Sequence, residues 1–387
     1  MSALRYLTAG ESHGPQLTAI LDGCPAGLTL SAADIDADLA RRQLGFGRGA
    51  RQQIERDHVS IRSGVRYGRT TGAPITLAIE NRDAGNWGLA LSVEPVDEPA
   101  APIRVPRPGH ADLGGELLYG SGDLRDVIER ASARETAART ACGAVARRLL
   151  AAVDCSVHSH VVRIADVVAG EQDLSSPEAL GGVDDDPVRC LDPQASERMR
   201  SAIMAAGQDG DTVGGVFEVV VFGYPPGVGT YAQADRRLWG RLAGALAAIP
   251  AIKGVEIGLG FAVAQRRGSQ VHDEIVWSAP AGYGRGSNRA GGVEGGISTG
   301  LPIVVRAAMK PISTLMSPLA SVTLGSHEPV EAHVERSDVC AVPAAAVVGE
   351  AVVALCLADA ALERCGAATV DEFVRAVEAA RERLRSS

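Results

Sequence analysis

The stretch Val342 to Ala358 reads VPAAAVVGEAVVALCLA and is the most apolar in the chain. Its reading decides between a membrane protein and a globular one. A membrane-spanning helix needs about 20 clean apolar residues. Here Gly349 and Glu350 interrupt the run and Asp359 follows it. The stretch therefore predicts a buried Ala/Val-rich helix, with Pro343 near its start, where a missing N–H costs nothing.

Working outward, apolar alternation predicts strands near 17–21, 58–64, 74–80, 156–164, 215–223, 253–257, 302–308 and 329–334. Helical periodicity appears near 32–43, 133–152, 195–206, 231–248, 343–364 and 370–384. Ser132 with Glu135, and Thr369 with Glu372, predict capping boxes; Ser31 precedes Asp34 in the same way. Strands and helices interleave, so the class is mixed α/β, although periodicity leaves strand order open. Residues 82–115 and 279–300 read as long loops, which in a compact enzyme are usually functional or mobile.

The bulk properties set limits. The chain has 387 residues, long for one ordinary core and compatible with one large fold. A formal charge of −9 and 4% aromatic residues argue against a nucleic-acid or anionic-membrane surface. The seven cysteines are scattered with no C-x-x-C pair, which suggests reduced thiols. The N-terminus MSALRYLTAGESHG has neither a basic nor an apolar leader region, so a cytoplasmic location is expected.

Five clusters carry candidate chemistry. Gly10-Glu11-Ser12-His13-Gly14 places a histidine among small residues, where it is either a turn residue or a proton carrier. Arg41, Arg42, Arg48 and Arg51 surround a glycine-rich turn. Guanidinium forks suit carboxylates and phosphates. Favourable charge at a helix end, a solvated face and an RNA-binding segment are the alternatives. Pro106 to Asp112 (PRPGHAD) holds His110 in a rigid loop, either as a general acid or as a histidine tied to Asp112. In Glu129 to Thr136 (ERASARET), Ser132 serves as a helix cap beside arginines, which is also a natural anion site. Lastly, KGVEIG from Lys253, NRAGGVEGG from Asn288, MKPIST from Met309 and RSDVC from Arg336 together suit a large polar cofactor with a phosphate tail.

These segments are similar, in order, to those of one family. Gly10–Pro25 (GESHGPQLTAILDGCP), Glu129–Val145 (ERASARETAARTACGAV) and Arg336–Val352 (RSDVCAVPAAAVVGEAV) resemble the three characteristic segments of the chorismate synthases. RPGHAD, NRAGGVEGG and AMKPIST resemble further blocks between them. The match runs from about residue 4 to about residue 365; the C-terminal helix over 369–387 adds little to it.

The resemblance implies a single domain over 1–387 with a β-α-β sandwich fold, its helices between antiparallel sheets, and a homotetramer. It implies a lyase of the shikimate pathway to the aromatic amino acids. Such enzymes convert 5-enolpyruvylshikimate 3-phosphate to chorismate and phosphate by a 1,4-anti-elimination that requires reduced FMN and no metal. By resemblance, Arg42, Arg48 and Arg134 line the substrate pocket with Ser12, and Arg107 and Arg51 are further candidates. His110 would protonate the departing phosphate, His13 would manage a proton at the flavin, and Asp338 would act as base. FMN contacts map to Arg130, Ala131 and Ser132, to Pro250 and Ala251, to Gly295, to Lys310, Pro311, Ile312, Ser313 and Thr314, and to Arg336. Pro250, Leu259, Phe46, Gln52 and Ala131 depart from the residues common in the family. Some members reduce FMN with NADPH themselves. No extra segment for that is visible here, so a separate flavin-reducing system is expected.

Other classes fit less well. A Rossmann dehydrogenase needs its glycine loop after a strand, whereas Gly45 to Gly49 follows a helical pattern. His158 and His160 share a strand face, but a metal hydrolase needs a third ligand. The non-enzymatic alternative is a flavin- or anion-binding relative without turnover.

Overall fold

Two main antiparallel sheets carry the fold; the first buries one face, whereas the second buries its helix-facing side and, through Val220 and Phe222 with Leu180, part of the other. The structure, a computed structural model, describes residues 3–49, 56–279, 281–335 and 337–386. Strands β1 (Arg5–Ala9), β2 (Gln16–Asp22), β3 (Val59–Ile61) and β4 (Ile75–Glu80) form the first sheet in the order β1-β2-β4-β3. Leu17, Ala19 and Leu21 of β2, with Ile75, Leu77 and Ile79 of β4, supply its buried face. Strands β5 (Ser156–Ile164), β6 (Val167–Val168), β7 (Gly215–Phe222), β8 (Ile252–Ile257) and β9 (Ile303–Met309) form the second, in the order β8-β9-β7-β5-β6.

The helices are α1 (Ala32–Gln43), α2 (Asp112–Tyr119), α3 (Arg125–Ala131), α4 (Thr136–Ala151), α5 (Pro193–Gln208), α6 (Leu238–Ala247), α7 (Val342–Cys365) and α8 (Val370–Ser386). Helix α4 packs on β2 and β4, and α7 packs on β5 and β7. The two helices also pack on each other, which makes a sandwich with helices between antiparallel sheets. One apolar core joins the layers, from Leu4 to Val377. Helix α7 is long and apolar enough to cross a membrane, yet 94% of its most apolar window is buried inside the protein.

The interruption at Gly349 and Glu350 has a packing cause. A Cβ on Gly349 would lie 2.5 Å from Cε2 of Phe217, so the glycine lets β7 approach the helix. Facing it from α4, a Cβ on Gly143 would lie 2.3 Å from Cβ of Ala351. Glu350 is fully buried and accepts from Arg41 at 2.7 and 2.8 Å, from Ser159 at 2.6 Å and from Arg189 at 3.3 Å. Arg147 lies 3.4 Å away. Burial alone would raise this carboxyl, but Arg147, Arg41 and Arg189 hold it down at about 2.

Several expectations are refined. The 31/34 and 369/372 capping boxes form. The 132/135 box does not. Ser132 caps the N–H of Arg134 at 3.3 Å, but Glu135 instead accepts from Thr8 at 2.8 Å and from Arg139. A single turn of 3-10 helix, Ala133–Glu135, separates this cap from α4. Strand β1 and helices α2 and α3 were not anticipated. On β1, Leu7 faces solvent, and α2 exposes Leu117, Leu118 and Tyr119, so neither element carries a clean apolar period. Residues 82–115 contain a 3-10 turn and the start of α2, and 279–300 contain short strands. His158 and His160 occupy ordinary strand positions: across the register, His160 bonds Glu218 at 3.1 Å, which also accepts from Arg306 at 2.6 Å. All seven cysteines are free thiols.

Candidate active site

The loop between β1 and β2 carries Ser12 and His13, and α3 meets it end-on. The backbone N–H of Ser12 donates to the carbonyl of Glu129 at 3.1 Å. Glu129, itself only 2% exposed, accepts from the His13 backbone N–H at 2.8 Å and lies 2.9 and 3.0 Å from its Nδ1. The imidazole stacks on Trp87, with ring centroids 4.1 Å apart, and Arg125 lies over the same indole at 5.1 Å. Contact with His13 and Arg125 lowers the Glu129 carboxyl below its ordinary value, against the opposing effect of burial.

Next to this loop, three guanidiniums gather. Ser132 donates to Ser12 at 3.1 Å. Arg134 donates to Asp57 at 2.5 Å and to Oδ1 of Asn81 at 2.9 and 2.8 Å. Arg42, from the last turn of α1, donates to the other oxygen of Asp57 at 3.2 Å and to Thr136 at 3.0 Å. Arg48 pairs with Asp338 at 3.0 Å, and the Gly49 N–H donates to the same carboxylate at 2.6 Å. Burial pushes the Arg42 guanidinium down to about 10; Asp57 opposes this, while Arg134 and Arg48 add to it. Asn81 fastens the group to the histidine loop by donating to the carbonyls of Glu11 and Gly14 at 3.2 and 2.7 Å.

A second group surrounds His110. Its Nδ1 makes a short contact to Asp112, which is fully buried and also accepts from Arg107 Nε at 2.8 Å. Arg107 reaches Thr314 at 3.2 Å, Glu335 at 3.4 Å and the His110 ring at 3.1 Å. Both sequence readings of His110 thus remain compatible: it is held by Asp112, and it sits where cations converge. Lys310 donates to the carbonyl of Gly109, and its backbone N–H donates to Ala251 at 3.0 Å. This brings the 250–251 and 310–314 segments beside the PRPGHAD loop. Thr212 fixes the carbonyl of Ile312 at 2.7 Å. Burial, then Lys253, lowers the Lys310 ammonium, which has no carboxylate partner among the described residues.

Arg125 joins the two groups, at 3.4 Å from Glu129 and 3.7 Å from Glu335. Arg130 is tied to β1 through Thr8 at 3.0 and 2.9 Å. Gly295 lies on the wall of a 710 Å³ cavity lined also by Trp239, Phe261 and Ala290. Arg336, Arg51 and Gln52 lie outside the described residues. Sequence reading missed Asp57, Asn81, Trp87, Arg125 and Glu335. Each meets its partner across a long gap in the chain, and no local motif marks it.

The donor set suits a polyanionic ligand. Comparison with known proteins identifies the family. The family described as chorismate synthase matches residues 4–362. A chorismate synthase of Geobacillus kaustophilus is 54% identical over 382 residues, covering 98% of both chains. One of Brevibacillus brevis is 54% identical over 373 residues, covering 96% of each. A crystal structure of a chorismate synthase superposes with a TM-score of 0.80 at 43% identity, covering 99% of both chains. The chain belongs to the chorismate synthase family.

Proposed function

We propose that this lyase converts 5-enolpyruvylshikimate 3-phosphate to chorismate and phosphate by 1,4-anti-elimination, with reduced FMN as cofactor. The observation that carries the reading is the convergence of cations beside two histidines: Arg42, Arg48 and Arg134 next to the His13 loop, and Arg107 and Lys310 next to His110. A substrate with two carboxylates and a phosphate would be met by these donors.

The same residues fit an anionic flavin. Arg130, Ala131, Ser132, Pro250, Ala251, the Lys310–Thr314 segment and Arg336 would hold it, with Gly295 as a further contact; Pro250 offers no side-chain hydrogen bond. Bound reduced FMN would supply electron density to the carbon that loses phosphate. His110 would carry the proton for the leaving phosphate, aided by the Arg107 charge. His13 would hold a proton on the flavin side, and Asp338 would act as base on that side. Ser12 and Ser132 would orient the ligands through their mutual hydrogen bond. One domain, a homotetramer, a cytoplasmic location and a separate flavin-reducing system complete the proposal.

An anaerobic assay with the phosphate ester and chemically reduced FMN tests this. Equal release of chorismate and phosphate, dependent on reduced flavin, is expected. FMN binding without release would instead identify a relative that binds flavin and does not turn over.

A further inference from the structure

We propose that Glu129 is a positioning residue that fixes His13 as the Nδ1–H tautomer and reserves Nε2 for proton exchange. The inference rests on the His13 role proposed above and deepens it. Three contacts define the histidine. Glu129 accepts from its backbone N–H at 2.8 Å, meets its Nδ1 with both oxygens at 2.9 and 3.0 Å, and Trp87 covers one ring face at 4.1 Å.

The logic is one of donors and acceptors. A carboxylate only accepts, so the imidazole nitrogen facing it must carry hydrogen. In a neutral ring the other nitrogen then holds the lone pair. Glu129 has a fully buried side chain. Its partners are His13 and Arg125, and both favour the ionised form. It sits on α3 just before Arg130, Ala131 and Ser132. One short helix thus sets both the histidine ring and the segment proposed to touch flavin, so the distance between them is built in.

Nitrogen-15 NMR of histidine-labelled protein, without flavin or substrate and at a pH where the ring is neutral, reads the tautomer. A His13→Asn sample assigns the signal. Wild type is expected to show hydrogen on Nδ1. In Glu129→Gln the amide N–H₂ can face Nδ1 while its oxygen keeps the backbone N–H, so hydrogen is expected to move to Nε2. Turnover should fall about 100-fold, the range of one misplaced acid–base group, with FMN affinity unchanged within a few-fold. A wild-type ring protonated on Nε2 overturns the proposal without any variant. A tautomer switch with full turnover also overturns the positioning role, and places the fault in the proton role of His13 rather than in the Glu129 contact.

Discussion

Arg41 and Arg42 are neighbours on α1, yet they serve two unlike clusters. Arg41 turns into the sandwich and meets Glu350, Asp38 and Asp184. With Arg147 and Arg189 this makes three guanidiniums against three carboxylates. Arg42 turns the other way, to Asp57, in a group where Arg42, Arg48 and Arg134 share Asp57 and Asp338. The first cluster ties α1, α4 and α7 to β5. The second is tied to the histidine loop, because Arg134 donates to Asn81, which in turn holds the carbonyls of Glu11 and Gly14. What a guanidinium cluster is tied to, rather than the density of arginines, separates a structural ion network from a candidate anion site. In either, removing one partner of a buried pair is costly.

The largest test of this contrast removes Glu350. Glu350→Ala strands Arg41 and Arg189 in the core and should cost about 3–5 kcal/mol in urea unfolding. The pH dependence has a definite sign. The Glu350 carboxyl lies at about 2 in the folded protein, below its ordinary value of 4.5. Its contribution is therefore complete above the ordinary value and is lost as pH falls from there toward 2. Glu350→Gln should flatten the unfolding curve in that window; an unchanged slope would show that the network does not depend on this charge.

Arg48→Gln addresses the other cluster. KM for the phosphate ester should rise about 100-fold, as for loss of one partner of a buried charged contact, while the unfolding midpoint barely moves. A large loss of stability with normal KM would make the two clusters alike. Gly143→Ala then probes the contact between α4 and α7, the helices that anchor the first cluster. Despite alanine's better helix propensity, the methyl group collides with Ala351, and about 1–3 kcal/mol of stability should be lost. The smallest effect is expected at Ala251, whose φ of 69° lies in the left-handed region. Ala251→Gly should raise stability by about 0.5 kcal/mol, the relief of strain less the added chain entropy. A loss at thermal unfolding would show that its methyl group packs usefully.

Much of this was legible before folding. Runs of apolar residues gave β2, β4, β5, β7, β8 and β9 to within a residue or two of their ends, because each of these strands buries at least one face. The 343–364 pattern gave α7. Ser12, His13, His110 and Asp338 were named from motifs, since glycine and proline loops that hold a histidine are local features. Other elements were hidden for physical reasons. β1 and α2 expose apolar side chains, so their periods are blurred.

What the sequence determined by itself was the family, the mixed class, the core helix and the residue types of the site, all of which depend on near neighbours along the chain. Only the tertiary structure decided which arginine belongs to which cluster. Asp57 meets Arg134 77 positions away, Glu350 meets Arg41 309 away, and Arg107 meets Glu335 228 away. Pairing at such separations depends on how two sheets close over shared helices. That closure is set by the sum of many packing contacts, and no short stretch of residues encodes it.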